Sequence, residues 1–414
     1  MMGTPRGPFR SLENFNYRLW AGGAFVSNVG TWMQRVAQDW LVLTQLTHHS
    51  ASAVGVVMSL QFGPQLLLLP WTGYAADRLE KRRLLMATQA AMGILALALG
   101  VLSVAHVVRL WHVYLFAFLF GCASAFDAPV RQIFVTELVG DADLSNAVAL
   151  NSTSFNAARM LGPAVAGFCI AALGTGWAFL INGVSFGAVL CSLNLLRVEQ
   201  LHISERAGRT SGGLVEGFRY VWGRADLRAI VVMLFLIGTF GLNFPIFIST
   251  MAVSVFHLGA ERYGLLSASM AVGTVIGALL AANRERPYFR HLRTSAAVFG
   301  AGCLLAASMP DYRLFAAALV IVGISALTFT NGTNSFMQLS TEPAMRGRVM
   351  AIRLAVALGT TPLGAPIVGR IADSAGPRWA LALGGLSGLL AALVALWHRR
   401  TAHAAEESDG WRGG

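Results

Sequence analysis

Runs of about twenty apolar residues recur along the chain, separated by short polar or basic stretches. Each run is long enough to cross about 30 Å of hydrocarbon as a helix. About twelve of them centre near Met33, Gln65, Leu95, Leu119, Ala158, Ser185, Thr239, Ala271, Gly302, Ser325, Thr361 and Leu389. Barrel strands would instead alternate polar and apolar positions over about ten residues. The pattern predicts an all-α integral membrane protein with about 12 transmembrane helices. The first run, about Leu19 to Leu46, is too long for a signal core and has many successors, so no cleaved leader is expected.

The two halves carry one plan. "LGPAVAGFCIAALGTGWAFL" aligns with "PLGAPIVGRIADSAGPRWAL", setting Gly162, Gly167 and Trp177 against Gly364, Gly369 and Trp379 at a constant offset of 202. "GTW" at Gly30 pairs with "GTF" at Gly238 at 208, and Asp77-Arg78 with Asn283-Arg284 at 206. Offsets that drift slightly while keeping their order predict two pseudo-symmetric six-helix bundles, a common build among transporters. The expected division is an N-terminal six-helix bundle over 1–196, a cytoplasmic linker over 197–228, a C-terminal six-helix bundle over 229–398 and a disordered cytoplasmic tail over 399–414. The linker is basic, contains Ser211-Gly212-Gly213 and has one short amphipathic stretch.

Composition agrees with this. The 414 residues are 55% hydrophobic and 12% charged, outside the usual makeup of water-soluble domains. A net charge of +11 raises the question of nucleic acid, and the placement of the bases answers it. With the N-terminus inside, the expected inner segments hold 23 Lys and Arg and the outer loops 4, Arg109, Arg262, Arg313 and Arg378. The positive-inside rule reads this as both termini cytoplasmic, so the charge is topology and no nucleic-acid partner is expected.

Several chemistries find no support. Cys122, Cys169, Cys191 and Cys303 fall singly inside apolar runs without metal-ligand spacing, and the nine histidines do not cluster, so no metal site is expected. The sole lysine, Lys81, follows Glu80, so there is no phosphate-cradling Gly-Lys loop. No cofactor is expected, and no paired-acid or nucleophile-base constellation marks an enzyme.

The segment "GYAADRLEKRR" crowds charge between the second and third runs. With twelve spans in two halves, it resembles the signature of the major facilitator superfamily, in Gly73, Asp77, Arg78, Lys81 and Arg82. Glu80 stands where that motif has its second glycine, which sets the usual tight turn against the sequence. The resemblance covers nearly the whole chain and implies a gate. Gly73 would let backbones approach, Asp77 would meet the positive N-terminus of the eleventh helix near Pro343, and Arg78 would seek Asp127. Bases that only fix topology are the alternative. "RMLGPAVAG", with Gly162, Pro163 and Gly167, is similar to the antiporter-type motif in the fifth helix of drug exporters. Packing alone also accounts for those residues. "FDAPVRQIFVTELV" and "NSTSFNAARMLGPAVAG" resemble the bacterial drug:proton antiporter branch that includes siderophore exporters of the enterobactin type and macrolide efflux pumps. The arginine that many such exporters carry in the fourth span is missing from "HVYLFAFLFGCASAF".

Charges inside the apolar runs are the remaining signal. Arg35 and Asp39 lie four apart on one helical face, with Gln34 and Gln38 as an adjacent polar strip. An ionised group at the membrane centre costs about 2.5 to 3.5 kcal/mol on insertion scales, so it faces a cavity or a partner. Asp39 is the candidate proton site and Arg35 its tuning partner; a merely structural pair near the outer end is the alternative. The superfamily arrangement makes the first and fifth helices neighbours, which would let Arg159 reach Asp39 or a bound anion, or serve as an anchor. Asn331, Asn334 and Gln338 recur along one face of the tenth run, a face that lipid does not suit. The resemblance assigns that face to the cavity wall. Arg370 and Asp373 read as an interfacial pair, and Arg353 as snorkelling.

The resemblance implies a secondary transporter of the bacterial plasma (inner) membrane. It would export a hydrophobic or amphipathic small molecule by alternating access, driven by an ion gradient, most simply protons. It would work as a monomer with membrane lipids around it. A proton- or sodium-coupled importer of a small polar solute would use the same fold.

Overall fold

The computed structural model describes residues 9–140, 143–202, 214–282 and 288–410. Among these there is no strand. The α-helices are α1 (Phe15–Leu41), α2 (Ala51–Leu67), α3 (Leu69–Arg78), α4 (Lys81–Val104), α5 (Leu110–Val139), α6 (Leu144–Leu173), α7 (Thr175–Leu195), α8 (Leu214–Gly223), α9 (Ala225–Leu236), α10 (Phe244–Thr250), α11 (Ala260–Ala282), α12 (Phe289–Ser308), α13 (Tyr312–Ser340), α14 (Pro343–Ala375) and α15 (Pro377–Gly410). All twelve expected centres fall in helix, with Thr239 in a π-helical turn, Ile237–Gly241, between α9 and α10.

Among the described residues, nine helical spans are long and apolar enough to cross a membrane, or ten if the bent pair α2 and α3 counts as one. Those two helices meet at 56°. Proline explains the break: Pro64 lacks an amide to donate inside α2, and Pro70 sits in the first turn of α3, where no intrahelical partner is needed. The two expected spans outside this count are α1 and α12. α1 carries Arg35 and Asp39 together with Gln34 and Gln38, and α12 opens on Arg290, His291 and Arg293.

The chain folds as two compact units. One comprises Met1–His49, Leu60–Arg209 and Leu258–Ala268; the other Ser50–Ser59, Thr210–His257 and Ser269–Gly414. The start of α2 therefore belongs with the second unit, and the start of α11 with the first.

In the first unit the beginning of α1 is tied down by polar contacts. Asn14 caps the helix by accepting from the Tyr17 amide at 3.2 Å. Asn16 pairs with the Arg197 backbone in both directions at 2.9 Å, and the Tyr17 hydroxyl donates to the Ala147 carbonyl at 2.8 Å. Trp20 packs edge-on against Phe134 with centroids 5.4 Å apart. In the second unit, α8 occupies the amphipathic stretch of the linker, where Glu216 pairs with Arg348 at 2.9 Å. Arg353 donates to the Thr330 carbonyl of α13 at 2.9 Å. Beside α8, Arg224 chelates Asp226, and that bond holds its guanidinium above its ordinary range.

Backbone geometry repeats with the sequence. His49 and His257, 208 residues apart, both adopt positive φ, 60° and 52°. Gly174 and Gly376, 202 apart, do so at 95° and 103°. π-Helical turns occupy Val42–Leu46 and Met251–Val255, each just before one of those histidines. At the other end of the chain, α15 continues to Gly410 through the polar stretch read as a disordered tail. Alanine and glutamate there favour helix.

Candidate functional site

The charged residues of α1 do not pair with each other. Among the described residues no ion pair joins Arg35 to Asp39, because each finds a different neighbour. The Arg35 guanidinium lies 4.7 Å from the Trp32 ring centroid and 5.3 Å from that of Phe62. Arg159 of α6 stands 5.4 Å from the same Trp32 ring, and Phe155 meets Trp32 edge-on at 5.8 Å. Two cations thus share one indole, each attracted by the negative face of an aromatic system. Both arginines are half-buried, and the Arg35 Nε is buried with no hydrogen-bond partner.

Asp39 points elsewhere. It is buried and accepts from the Tyr263 hydroxyl at 3.4 Å. Tyr263 lies in the first turn of α11 and stacks on Trp40 with centroids 5.8 Å apart and planes at 20°. Gln34 accepts from the Asn182 amide at 2.6 Å, and Ser185 donates to the Asn182 oxygen at 3.0 Å. The Gln38 amide nitrogen is buried without a partner.

The "RMLGPAVAG" stretch builds this arrangement. A Cβ on Gly162 would collide with that of Trp32, so only glycine lets α1 lie this close to α6. Arg159, one turn earlier, shares that face and is brought to the indole. A Cβ on Gly167 would lie 2.9 Å from the Ala260 and Glu261 carbonyls, so the same helix also seats the start of α11. Pro163 is buried between the two glycines. The triplet is a packing surface for two helices, and through them it positions Trp32 and Tyr263.

The motif at the junction of α3 and α4 is used differently from the expectation. The side chain of Asp77 lies outside the described residues. Asp127 does not meet Arg78: it takes Arg131 at 2.9 Å, Thr88 at 2.9 Å and Gln89 at 2.6 Å. Arg131 is one turn further along the same helix, so that pair forms at less conformational cost than one across helices. Arg78 is exposed and rests on the Tyr74 ring at 4.7 Å. Gly73 is exposed too, with nothing within 4 Å of where its Cβ would be, so it admits no close approach here. Lys81 pairs with Glu137 at 2.7 Å, and Arg82 donates to the Leu193 carbonyl at the end of α7 at 2.7 Å. The turn itself needs no second glycine. Leu79 and Glu80 connect α3 to α4 in extended conformations at φ −88° and −65°, which any residue adopts.

In the second unit, Asn331 and Gln338 are exposed and Asn334 half-buried along α13. Asp373 does not pair with Arg370; it closes the N-terminus of α2, accepting from the Ala51 amide at 2.6 Å, the Ser52 amide at 2.9 Å and the Ser50 hydroxyl at 3.2 Å. Unpaired amides at a helix start are stronger attractors for a carboxylate than a solvated guanidinium.

Sequence reasoning missed Trp32, Asn182 and Tyr263. Asn182 carried a signal, a lone amide inside the apolar "LINGVSF". Trp32 and Tyr263 carried none, since aromatic residues are ordinary at such positions.

A family model described as transmembrane secretion effector matches residues 4–411. Among curated proteins, the chain is 26% identical to the staphyloferrin A transporter of Staphylococcus aureus (90% of this chain, 93% of that one). It is 29% identical to the multidrug efflux pump Tap of Mycolicibacterium fortuitum (91% and 92%) and 24% to the enterobactin exporter EntS of Salmonella choleraesuis (90% and 89%). Among solved structures it shares its fold with a bacterial homologue of the human lysosomal transporter Spinster in an inward-facing, unoccupied conformation. There the TM-score is 0.75 at 16% identity, over 96% of this chain and 98% of that one. A bacterial homologue of the iron transporter ferroportin, inward-facing, gives 0.70 at 14% over 92% and 98%.

Proposed function

The chain belongs to the transmembrane secretion effector family of major facilitator transporters, and from that premise we propose that it exports an amphipathic small molecule in exchange for protons. The observation that carries this reading is Asp39, a buried carboxylate held by a tyrosine rather than neutralised by the arginine one turn away. A carboxylate without an ion-pair partner is free to gain and lose a proton during a transport cycle. Trp32, Phe62 and Phe155 around Arg35 and Arg159 offer a half-open aromatic wall for a bulky, partly apolar body. The names of two relatives, a multidrug efflux pump and an enterobactin exporter, support the direction of transport, and with the staphyloferrin A transporter they support the class of cargo.

A membrane potential of about 100 mV supplies roughly 2.3 kcal/mol per proton, or on the order of fiftyfold accumulation. The transporter works by alternating access in the bacterial plasma membrane, as a single chain among lipids, with both termini in the cytoplasm and no bound cofactor. The deciding experiment is uptake of siderophores, macrolides and dyes into inverted vesicles with and without a pH gradient, acid inside. Gradient-driven uptake of at least one compound is expected. Uptake driven only by a sodium gradient, or only in right-side-out vesicles, would replace this reading with an importer or a sodium-coupled carrier.

A further inference from the structure

Tyr263 belongs by sequence to the start of α11, in the second half of the chain, yet it packs as part of the first unit. It is buried, 1% exposed, with its ring on Trp40 and its hydroxyl on Asp39. Around it the helix start is close-packed: Gly264 and Gly167 oppose each other with no room for a Cβ on either. The rest of α11, from Ser269, belongs to the second unit. The first turns of α11 therefore pack within the first unit, against α1 and α6, and there the Tyr263 hydroxyl bonds the carboxylate named above as the proton site.

Resting on the exchange reading, we propose that Tyr263 is a positioning residue that interlocks the cycle: it keeps α11 docked while Asp39 is ionised and releases it when Asp39 is protonated or cargo is bound. The charge logic is direct. A hydroxyl bond to an ionised carboxylate is stronger than one to a neutral carboxyl group, so proton uptake at Asp39 weakens the docking. Among the described residues, the charged and titratable groups set against Asp39 are Arg35 on its own helix and Tyr263 on α11, with Arg159 of α6 set against Arg35. The arginines stay cationic, so Asp39 is the group that changes charge. An exchanger must prevent its empty, ionised form from turning over, because that step dissipates the gradient. The Tyr263 to Asp39 bond holds that form in place.

The test is Tyr263→Phe, which keeps the ring on Trp40 and removes only the hydroxyl. In proteoliposomes, downhill cargo flux without counter-moving protons should rise about tenfold, the scale of one hydrogen bond to a charged group. The accumulation ratio under a pH gradient should fall correspondingly, and its pH dependence should flatten. The same change in an Asp39→Asn background should add nothing. A second measurement uses the native residues: fluorescence of Trp40, isolated by difference against Trp40→Phe, should titrate with pH and stop doing so in Asp39→Asn. Unchanged leak, accumulation and pH profile in Tyr263→Phe would overturn the interlock, as would a Trp40 signal indifferent to Asp39. If wild type shows no gradient-driven uptake of any compound, the exchange reading itself has failed.

Discussion

The Asp39 carboxylate takes its hydrogen bond from Tyr263, 224 residues away in sequence, although Arg35 stands one helical turn below it on the same face. Arg35 is drawn off by Trp32 and Phe62, aromatic faces that hold a guanidinium without neutralising it. Among the described residues the cluster therefore keeps two cations and one acid without an ion pair beside aromatic rings.

That excess of positive charge sets a ranking of cargo. Neutral or anionic amphipathic compounds should be transported better than permanently cationic ones of similar size. Arg159→Gln should narrow the gap by lowering apparent affinity for anions and raising it for cations. Competition binding on purified protein measures this, and a cation preference in wild type that Arg159→Gln leaves unchanged would contradict it.

The two glycines with proposed packing roles should separate in stability. Gly162→Ala forces a Cβ into Trp32 and should cost about 1 to 3 kcal/mol, the usual range for overpacking. Gly73→Ala meets open space inside a helix and should be neutral or stabilising by up to about 1 kcal/mol. Thermal unfolding in detergent distinguishes them, and equal destabilisation would contradict the packing described.

Asp373→Ala removes the acceptor from three donors at the start of α2 and should cost about 1 kcal/mol, the usual value of an N-terminal cap. Because those donors lie in Ser50–Ser59, a cysteine placed at Ser59 should become more reactive to a thiol reagent in the variant. Unchanged reactivity and stability would show the contacts to be incidental.

In α5, Asp127→Ala leaves Arg131 without its carboxylate and should destabilise by about 3 kcal/mol, as removal of one member of a buried pair does. Arg78→Ala, at an exposed side chain that rests on Tyr74 of its own helix, should stay within about 0.5 kcal/mol. Equal destabilisation by the two changes would contradict the difference in burial and pairing described.

Helix positions were legible in the sequence because a membrane span needs twenty apolar residues wherever it lies. The repeat was legible too, and the matched positive φ values at His49 and His257 show it in the backbone. Polar residues inside spans were legible as well, and the structure brings Arg35 and Arg159 to one indole with Asp39 a turn further along α1. Their partners were less readable. The expected pairs Arg35 with Asp39, Arg78 with Asp127 and Arg370 with Asp373 all rested on short spacing or analogy. In two of them a neighbour on the same helix offered something better, the Trp32 indole for Arg35 and Arg131 for Asp127; in the third, Asp373 found a helix N-terminus. No local pattern announces that Tyr263 comes back to α1.

Gradient-driven uptake into inverted vesicles by Asp39→Asn beside wild type, with cargo binding measured on the same two proteins, bears most directly on the exchange mechanism. Uptake in the variant should fall to the level seen without a pH gradient while binding changes little. Full gradient-driven uptake in Asp39→Asn would remove that carboxylate from the mechanism.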